Sequence, residues 1–377
     1  MKKVYFDNAS TSAMDPRVIL EMTQAMVDDY GNPSSSHAVG RQAKSKLELA
    51  RKTIAKHLKV SAAEIVFTSG GTEGNNWVLQ TAVRDLGIKR IISSKIEHHA
   101  VLHTLDYIKL TQNIQLDFVK IASDGSVDHS DLVRLLSQDI PTLVSFMHVN
   151  NEIGTVLDLT KTSRICQQHQ AYFHSDMVQS MGKLPIDFSF TPLDFAVASA
   201  HKFHGPKGIG FVYIKKGIPI QPFLLGGEQE KGLRPGTEAV PAIVGMAKAF
   251  ELANDELAQH TQYISELKAY AITKLTQQFL DCKVNGSAAG IHTILNVQIP
   301  CATHKHDMLL FALDMQGIAV SRGSACQSGS PKPSHVLAEI LSDEEKLQPS
   351  LRISFSHFNT KEEVDYFIDK LNVILSN

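Results

Sequence analysis

The sequence predicts an α/β fold, a mainly parallel seven-stranded sheet covered by helices, with a smaller α+β domain after it. Three observations predict it. Short β-rich runs alternate with helical patterns along the first half of the chain. Glycine-rich turns join strand-like to helix-like segments. A new αβ pattern then begins after a long helical stretch. The strand-like runs fall at 64–68, 90–93, 115–119, 142–148, 172–176, 195–199 and 209–214. Between them the pattern is helical at 40–58, 74–85, 99–109 and 160–169; in the first, Leu47, Ala50, Ile54 and Leu58 form one face. One helical region runs from 242 to about 279, long enough to bridge or bend between domains. Beyond it come a strand at 293–299, a helix at 305–315, strands at 318–321 and 351–354, and a helix at 361–375. Thr360 followed by Glu363 is a capping box for that last helix. No internal repeat or low-complexity tract appears, and the Ser-, Gly- and Pro-rich stretch 327–334 reads as a mobile loop.

A chain of 377 residues exceeds one ordinary core. The expected division is a large domain over 14–257 and a small one from 1–13 and 258–377. With 43% hydrophobic and 20% charged residues it reads as globular, and a net charge of −2 gives no field for gripping nucleic acid or anionic membrane. The N-terminus turns polar too soon for a signal peptide, and no apolar run approaches a membrane span. Cys166, Cys282, Cys301 and Cys326 lack metal-ligand or disulfide spacing, so a reduced, cytoplasmic setting is expected. In that setting an accessible thiol can do chemistry.

The richest constellation lies at the end of the fifth and sixth strand-like runs. Asp176 closes one, where ligands sit in open α/β sheets. Ser199-Ala200-His201-Lys202 closes the next. An acid to face a pyridinium nitrogen and a lysine to form a Schiff base are what pyridoxal phosphate asks of its protein. Gln179 offers a donor to the ring oxygen. Taken singly, Asp176 would serve as a helix or turn cap, and Lys207, in Gly205-Pro206-Lys207-Gly208, rivals Lys202. The segment Thr68-Ser69-Gly70-Gly71-Thr72-Glu73-Gly74 joins a strand to a helix, so its amides and Thr72 can cradle a phosphate, completed by Ser199 and His201. It is neither a Walker loop nor GxGxxG.

With these motifs the chain resembles the cysteine desulfurases of the NifS/IscS type, within the class V aminotransferases of fold type I. The resemblance is carried by Asp7-Asn8-Ala9-Ser10-Thr11, Tyr30-Gly31-Asn32-Pro33-Ser34, Glu97-His98 and Met147-His148-Val149-Asn150-Asn151-Glu152-Ile153-Gly154. It continues through Gln179-Ser180-Met181-Gly182-Lys183, Lys202, Gly205-Pro206-Lys207-Gly208-Ile209-Gly210 and Leu233-Arg234-Pro235-Gly236-Thr237, so it spans nearly the whole sequence. It implies that Lys202 carries the cofactor, Asp176 faces its ring nitrogen, and Gln179 its ring oxygen. It further implies that His98 stacks on the ring and moves protons, and that Asn151 lies near the ring and the substrate carboxylate. Gly71, Thr72, Ser199 and His201 would hold the phosphate, with Thr237 reaching in from a partner subunit of a homodimer.

The resemblance also makes Cys326, in Gly323-Ser324-Ala325-Cys326-Gln327-Ser328, the residue that takes sulfur from L-cysteine as a persulfide and leaves L-alanine. It would ride on a mobile loop over 321–333. Inert packing is expected of the other three cysteines. Arg352 is the candidate clamp for the substrate carboxylate, because a guanidinium grips a planar carboxylate through two parallel hydrogen bonds. Four features depart from the family pattern: the bulky pair Met177-Val178 beside the ring, Ala200 in place of a glycine, Arg322 ahead of the cysteine, and a short tail. Relatives that dock iron–sulfur scaffolds have a longer C-terminus, so a tRNA-thiolating enzyme or another dedicated acceptor protein is an equal expectation. The alternatives are a selenocysteine lyase or transaminase, an idle sulfur-transfer partner, and a hydrolase with a metal on His201 and His204. No metal is expected in the first reading.

Overall fold

The computed structural model describes residues 2–306, 308–322 and 334–376. After the two-residue β1 (Val4–Tyr5), helices α1 (Pro16–Asp28) and α2 (Ala38–Leu58) precede β2 (Ile65–Thr68). Helix and strand then alternate through α3 (Gly71–Asp85), β3 (Arg90–Ser93), α4 (His99–Thr111), β4 (Gln115–Phe118), α5 (His129–Leu136), β5 (Thr142–Met147), α6 (Leu159–Gln168) and β6 (Tyr172–Asp176). β7 (Phe195–Ser199) and β8 (Gly210–Ile214) follow, then helices α7 (Val240–Asp255) and α8 (Leu257–Gln278). The remainder is β9 (Lys283–Asn285), β10 (Ile294–Gln298), α9 (Thr303–His306), α10 (Leu309–Asp314), β11 (Ile318–Ala319), α11 (His335–Ile340), β12 (Ser350–Ser354) and α12 (Lys361–Ser376).

The central sheet has seven strands in the order β2-β8-β7-β6-β5-β3-β4. Only β8 runs against the others, because it is antiparallel to both β7 and β2 while the remaining pairs are parallel. The C-terminal ends of β2, β5, β6 and β7 therefore open on one edge, where ligands gather in such sheets. Side chains alternate across the sheet with period two. Phe195 and Val197 of β7 pack with α3 and α4 residues such as Trp77 and Val101, whereas Ala196 and Ala198 pack with α2 and α7 residues such as Ile54 and Phe250. A separate apolar cluster joins β10, β12, α8 and α12 around Leu295, Ile353, Leu267 and Phe367. β10 pairs antiparallel with β9 and β12, and β1 pairs parallel with β11.

Local chemistry accounts for the ends. Asp15 caps α1, accepting from Arg17 N at 2.8 Å, with Pro16 in the first turn. α2 stops at Lys59 in the left-handed region, φ 57°. The Thr360–Glu363 capping box forms as expected, with reciprocal bonds of 3.1 and 3.3 Å. Two expectations need correction. The helix expected from 242 to 279 is two helices, broken at Glu256 (φ −98°, ψ 7°), so a bend separates α7 from α8. The helix expected over 305–315 is the two short helices α9 and α10.

Candidate active site

Ten of the residues singled out in the sequence line one cavity at the C-terminal ends of the central strands. They are Gly71, Thr72, His98, Asn151, Asp176, Gln179, Ser199, His201, Lys202 and Arg352. The cavity encloses about 840 Å³ of empty space, open mouth included. Lys207, the rival of Lys202, is exposed and does not line it. Thr237 also lies outside it, exposed on the loop before α7. Cys326 lies outside the described residues.

Asp176 ends β6 and is 7% exposed. Its two oxygens are fixed from behind: Oδ2 accepts from Asn75 Nδ2 at 2.7 Å and Oδ1 from Val178 N at 3.0 Å. Asn75 is a site residue that sequence reasoning missed. Its signal was present, since an asparagine inside a helix is poorly suited there unless its side chain has a partner. Lys202 sits in the turn after β7, its Nζ donating to the carbonyls of Ala9 at 2.8 Å and Ser10 at 2.6 Å. The N-terminal segment thus lines the cavity through Ala9 and Ser10.

The N-terminus of α3 opens on the same space. Gly70 caps it without any side-chain bond, and its φ of 149° with ψ −170° is a conformation that only glycine adopts readily. A Cβ on Gly71 would lie 2.8 Å from Val178 Cγ2, so the bulk of Val178 beside the site requires a glycine opposite. Helix-end amides with a partial positive charge, and the hydroxyls of Thr72 and Ser199 beside them, suit a phosphate. Ala200, which replaces a glycine, is absent from the residues with positive φ and fits its short 3₁₀ turn.

His98 caps α4, its Nδ1 accepting from Ala100 N at 3.1 Å. In the neutral ring the proton therefore sits on Nε2. Burial pushes its imidazole below the ordinary value, Lys202 adds to this, and Asp176 opposes it. Burial likewise pushes His201 down to about 4, and its Nδ1 meets Thr11 Oγ1 at 3.1 Å. Glu97, wholly buried and next to His98 in the chain, is pushed up to about 8 by burial although Ser94 and Met147 N donate to it.

Arg352 is 1% exposed and already engaged. Nη2 donates to Asp7 Oδ1 at 2.9 Å and to Ser10 Oγ at 2.6 Å, and Nη1 to the Asn151 carbonyl at 2.8 Å. Its Nε is buried with no hydrogen-bond partner among the described residues. The expected clamp is thus aligned by Asp7, whose part in the site the sequence did not disclose. Arg322 donates to the His306 carbonyl at 2.6 Å. His201 and His204 diverge, the latter bonded to the Ala13 carbonyl and lining a second cavity. Among the described residues no group of His, Cys, Asp or Glu is arranged to hold a metal ion. Cys166 is buried in the core and burial raises its thiol well above the ordinary range; burial also raises Cys282 and Cys301.

A mainly parallel sheet with a lysine, a buried acid and an uncapped helix end converging on its edge describes an α/β enzyme built around an aldehyde cofactor bearing a phosphate. The chain belongs to the class-V aminotransferase family, whose model matches residues 4–367. It is similar to the cysteine desulfurase IscS of Dictyoglomus turgidum, 38% identical over 376 residues that cover 99% of this chain and 95% of that protein. The cysteine desulfurase IscS of Methanosarcina thermophila is 39% identical over 371 residues, covering 98% and 91%. Among solved structures, a NifS-like protein superposes with a TM-score of 0.92 at 38% identity, covering 100% of each chain. SspA in complex with cysteine superposes at 0.83 with 28% identity, covering 95% and 100%. This family works with pyridoxal phosphate, and the donor set here fits that group: an amine, a carboxylate held by two donors, and a helix end without its own cap.

Proposed function

We propose that this chain is a pyridoxal-phosphate-dependent cysteine desulfurase, converting L-cysteine to L-alanine and passing the sulfur to Cys326 as a persulfide. The observation that carries it is the gathering of Lys202, Asp176, the α3 N-terminus and Arg352 around one cavity. In this reading Lys202 holds the cofactor aldehyde, and Asp176 keeps the pyridine nitrogen protonated. Gly71, Thr72, Ser199 and His201 hold the phosphate, with Thr237 contributed by a second copy of the chain. When bound, the cofactor withdraws electrons from the α-carbon of an attached amino acid.

The protein's own groups do the rest. Arg352, held in place by Asp7 and the Asn151 carbonyl, orients the substrate carboxylate. The Lys202 amine, beside the Ala9 and Ser10 carbonyls, would serve as the base for the α-proton. His98, which would lie against the ring, would present Nε2–H as a proton source. The overall exchange balances without an external oxidant: L-cysteine and the Cys326 thiol give L-alanine and a Cys326 persulfide. The sulfur leaves with an acceptor protein, for tRNA thiolation or iron–sulfur assembly. The division into a large domain over 14–257 and a small one from 1–13 and 258–377, with the cysteine loop at 321–333, belongs to the same reading. So do the homodimer and the cytoplasmic setting. Among the described residues no helix is long and apolar enough to cross a membrane.

Incubation of the cofactor-loaded protein with L-cysteine tests the reading by product analysis. Alanine in step with sulfur added to Cys326 is expected. 3-Mercaptopyruvate instead of alanine would mark a transaminase, pyruvate with free sulfide and ammonia a β-eliminating lyase, and activity confined to selenocysteine a lyase of that class.

A further inference from the structure

Gln179 and Lys183 lie one turn apart in the helical turns after β6, where Ser180 and Met181 donate to the Met177 carbonyl and Lys183 and Leu184 to that of Ser180. Side chains four residues apart in such a turn meet on one face. Here the Lys183 ammonium donates to Gln179 Oε1 at 2.9 Å. The amide nitrogen of Gln179 then points the other way and donates to the Ala9 carbonyl at 2.8 Å, an oxygen shared with Lys202. Gln179 itself is 4% exposed.

A glutamine amide is nearly symmetric in shape but not in chemistry. Turned half round, it presents an acceptor where it had presented a donor. An anionic ring oxygen needs the donor. The lysine has only donors to give when charged, so it admits the glutamine oxygen and rejects the nitrogen. We propose that Lys183 is a positioning residue that locks the Gln179 amide with its N–H₂ turned into the site, toward the ring oxygen of the cofactor. This rests on the cofactor reading above.

The surroundings favour the lock. Among the described residues Lys183 makes no ion pair that would draw its nitrogen away. The charged or titratable groups coupled to it are Lys202, Arg352, His201, His204 and His292, all basic. Burial, with Lys202 and Arg352, pushes Lys183 down to about 7; the neutral amine keeps two N–H groups for the Gln179 oxygen but gains a lone pair, so the lock is tightest below that pH. Lys183 also lines the second cavity, which shares Lys202 with the first.

The test titrates the absorbance of the bound cofactor with pH in the loaded wild type, Lys183→Met, Lys183→Arg, Gln179→Leu and the double variant Gln179→Leu/Lys183→Met. In Lys183→Met only the Ala9 carbonyl still orients the amide, so a share of the amides turn their oxygen to the ring, which penalises the anionic form and moves the titration up by as much as about one pH unit. Lys183→Arg, which keeps a donor-only side chain, returns the titration most of the way to wild type. Adding Lys183→Met to Gln179→Leu produces no further shift. A wild-type titration in Lys183→Met would overturn the inference, as would no rescue by Lys183→Arg or shifts that add in the double variant. If Lys183→Met does not fold, Lys183→Arg against Gln179→Leu decides it: coincident titrations overturn the lock. A wild type that takes up no cofactor fails the functional reading itself, and the inference with it.

Discussion

Asp176 is held by Asn75 and Val178 N before any ligand arrives, so its charge is aimed by the protein and not by the cofactor. Preorganised charge of this kind supports catalysis without reorganising during the reaction. Asp176→Asn is therefore expected to keep bound cofactor but lower the rate of alanine formation about a hundredfold or more; an unchanged steady-state rate would remove Asp176 from that role. Cys326→Ser is expected to retain cofactor colour and lose sulfide release from L-cysteine. Full release by that variant would place the sulfur elsewhere. Asp176, Lys202 and Arg352 could be read in the sequence because each is the natural chemical type for its task, Asp176 ending a strand, Lys202 just after one and Arg352 within one. Asp7 could not, because it acts through another side chain, and Asn75 left only the mark of an asparagine inside a helix, which names no partner.

At the level of elements, the strand-like runs gave all seven strands of the central sheet to within a residue or so at each end, since a buried sheet writes continuous apolar runs into the sequence. The break at Glu256 was invisible, because no proline or glycine marks it and both flanking segments carry helical patterning. β1 and β9 were missed as well; at two and three residues they are too short for any period to show. The α3 N-terminus yields a prediction of its own. Gly71→Ala would set a Cβ 2.8 Å from Val178 Cγ2, and such overpacking costs about 1–3 kcal/mol. Urea unfolding should show the loss, with recovery in Gly71→Ala/Val178→Ala. Equal loss with and without Val178→Ala would refute the contact. At α12, Thr360→Ala removes one half of the capping box and should cost about 1 kcal/mol in the same assay.

For the molecule as a whole, the buried groups set a pH window for stability. Burial pushes His148 down to about 4 and His174 to about 3, below the value of about 6.5 expected of an unfolded chain. Between about pH 6.5 and 3 the unfolded state takes up protons that the folded state refuses, so stability falls as pH falls. Glu97 has the opposite sign. Pushed up to about 8, it lends stability in full below its ordinary value of 4.5 and loses it as pH rises through about 8. Urea midpoints should decline from pH 6.5 downward, and Glu97→Gln should remove part of the decline on the alkaline side. A flat profile between pH 6.5 and 4 would contradict the histidine assignment.

The central claim is that one amine among the chain's lysines carries the cofactor. Borohydride reduction of the loaded protein, followed by peptide mapping, tests it most directly. The account predicts the cofactor's mass on the peptide containing Lys202 and its loss in Lys202→Ala. A reduced adduct on Lys207, or none on any lysine, would contradict it.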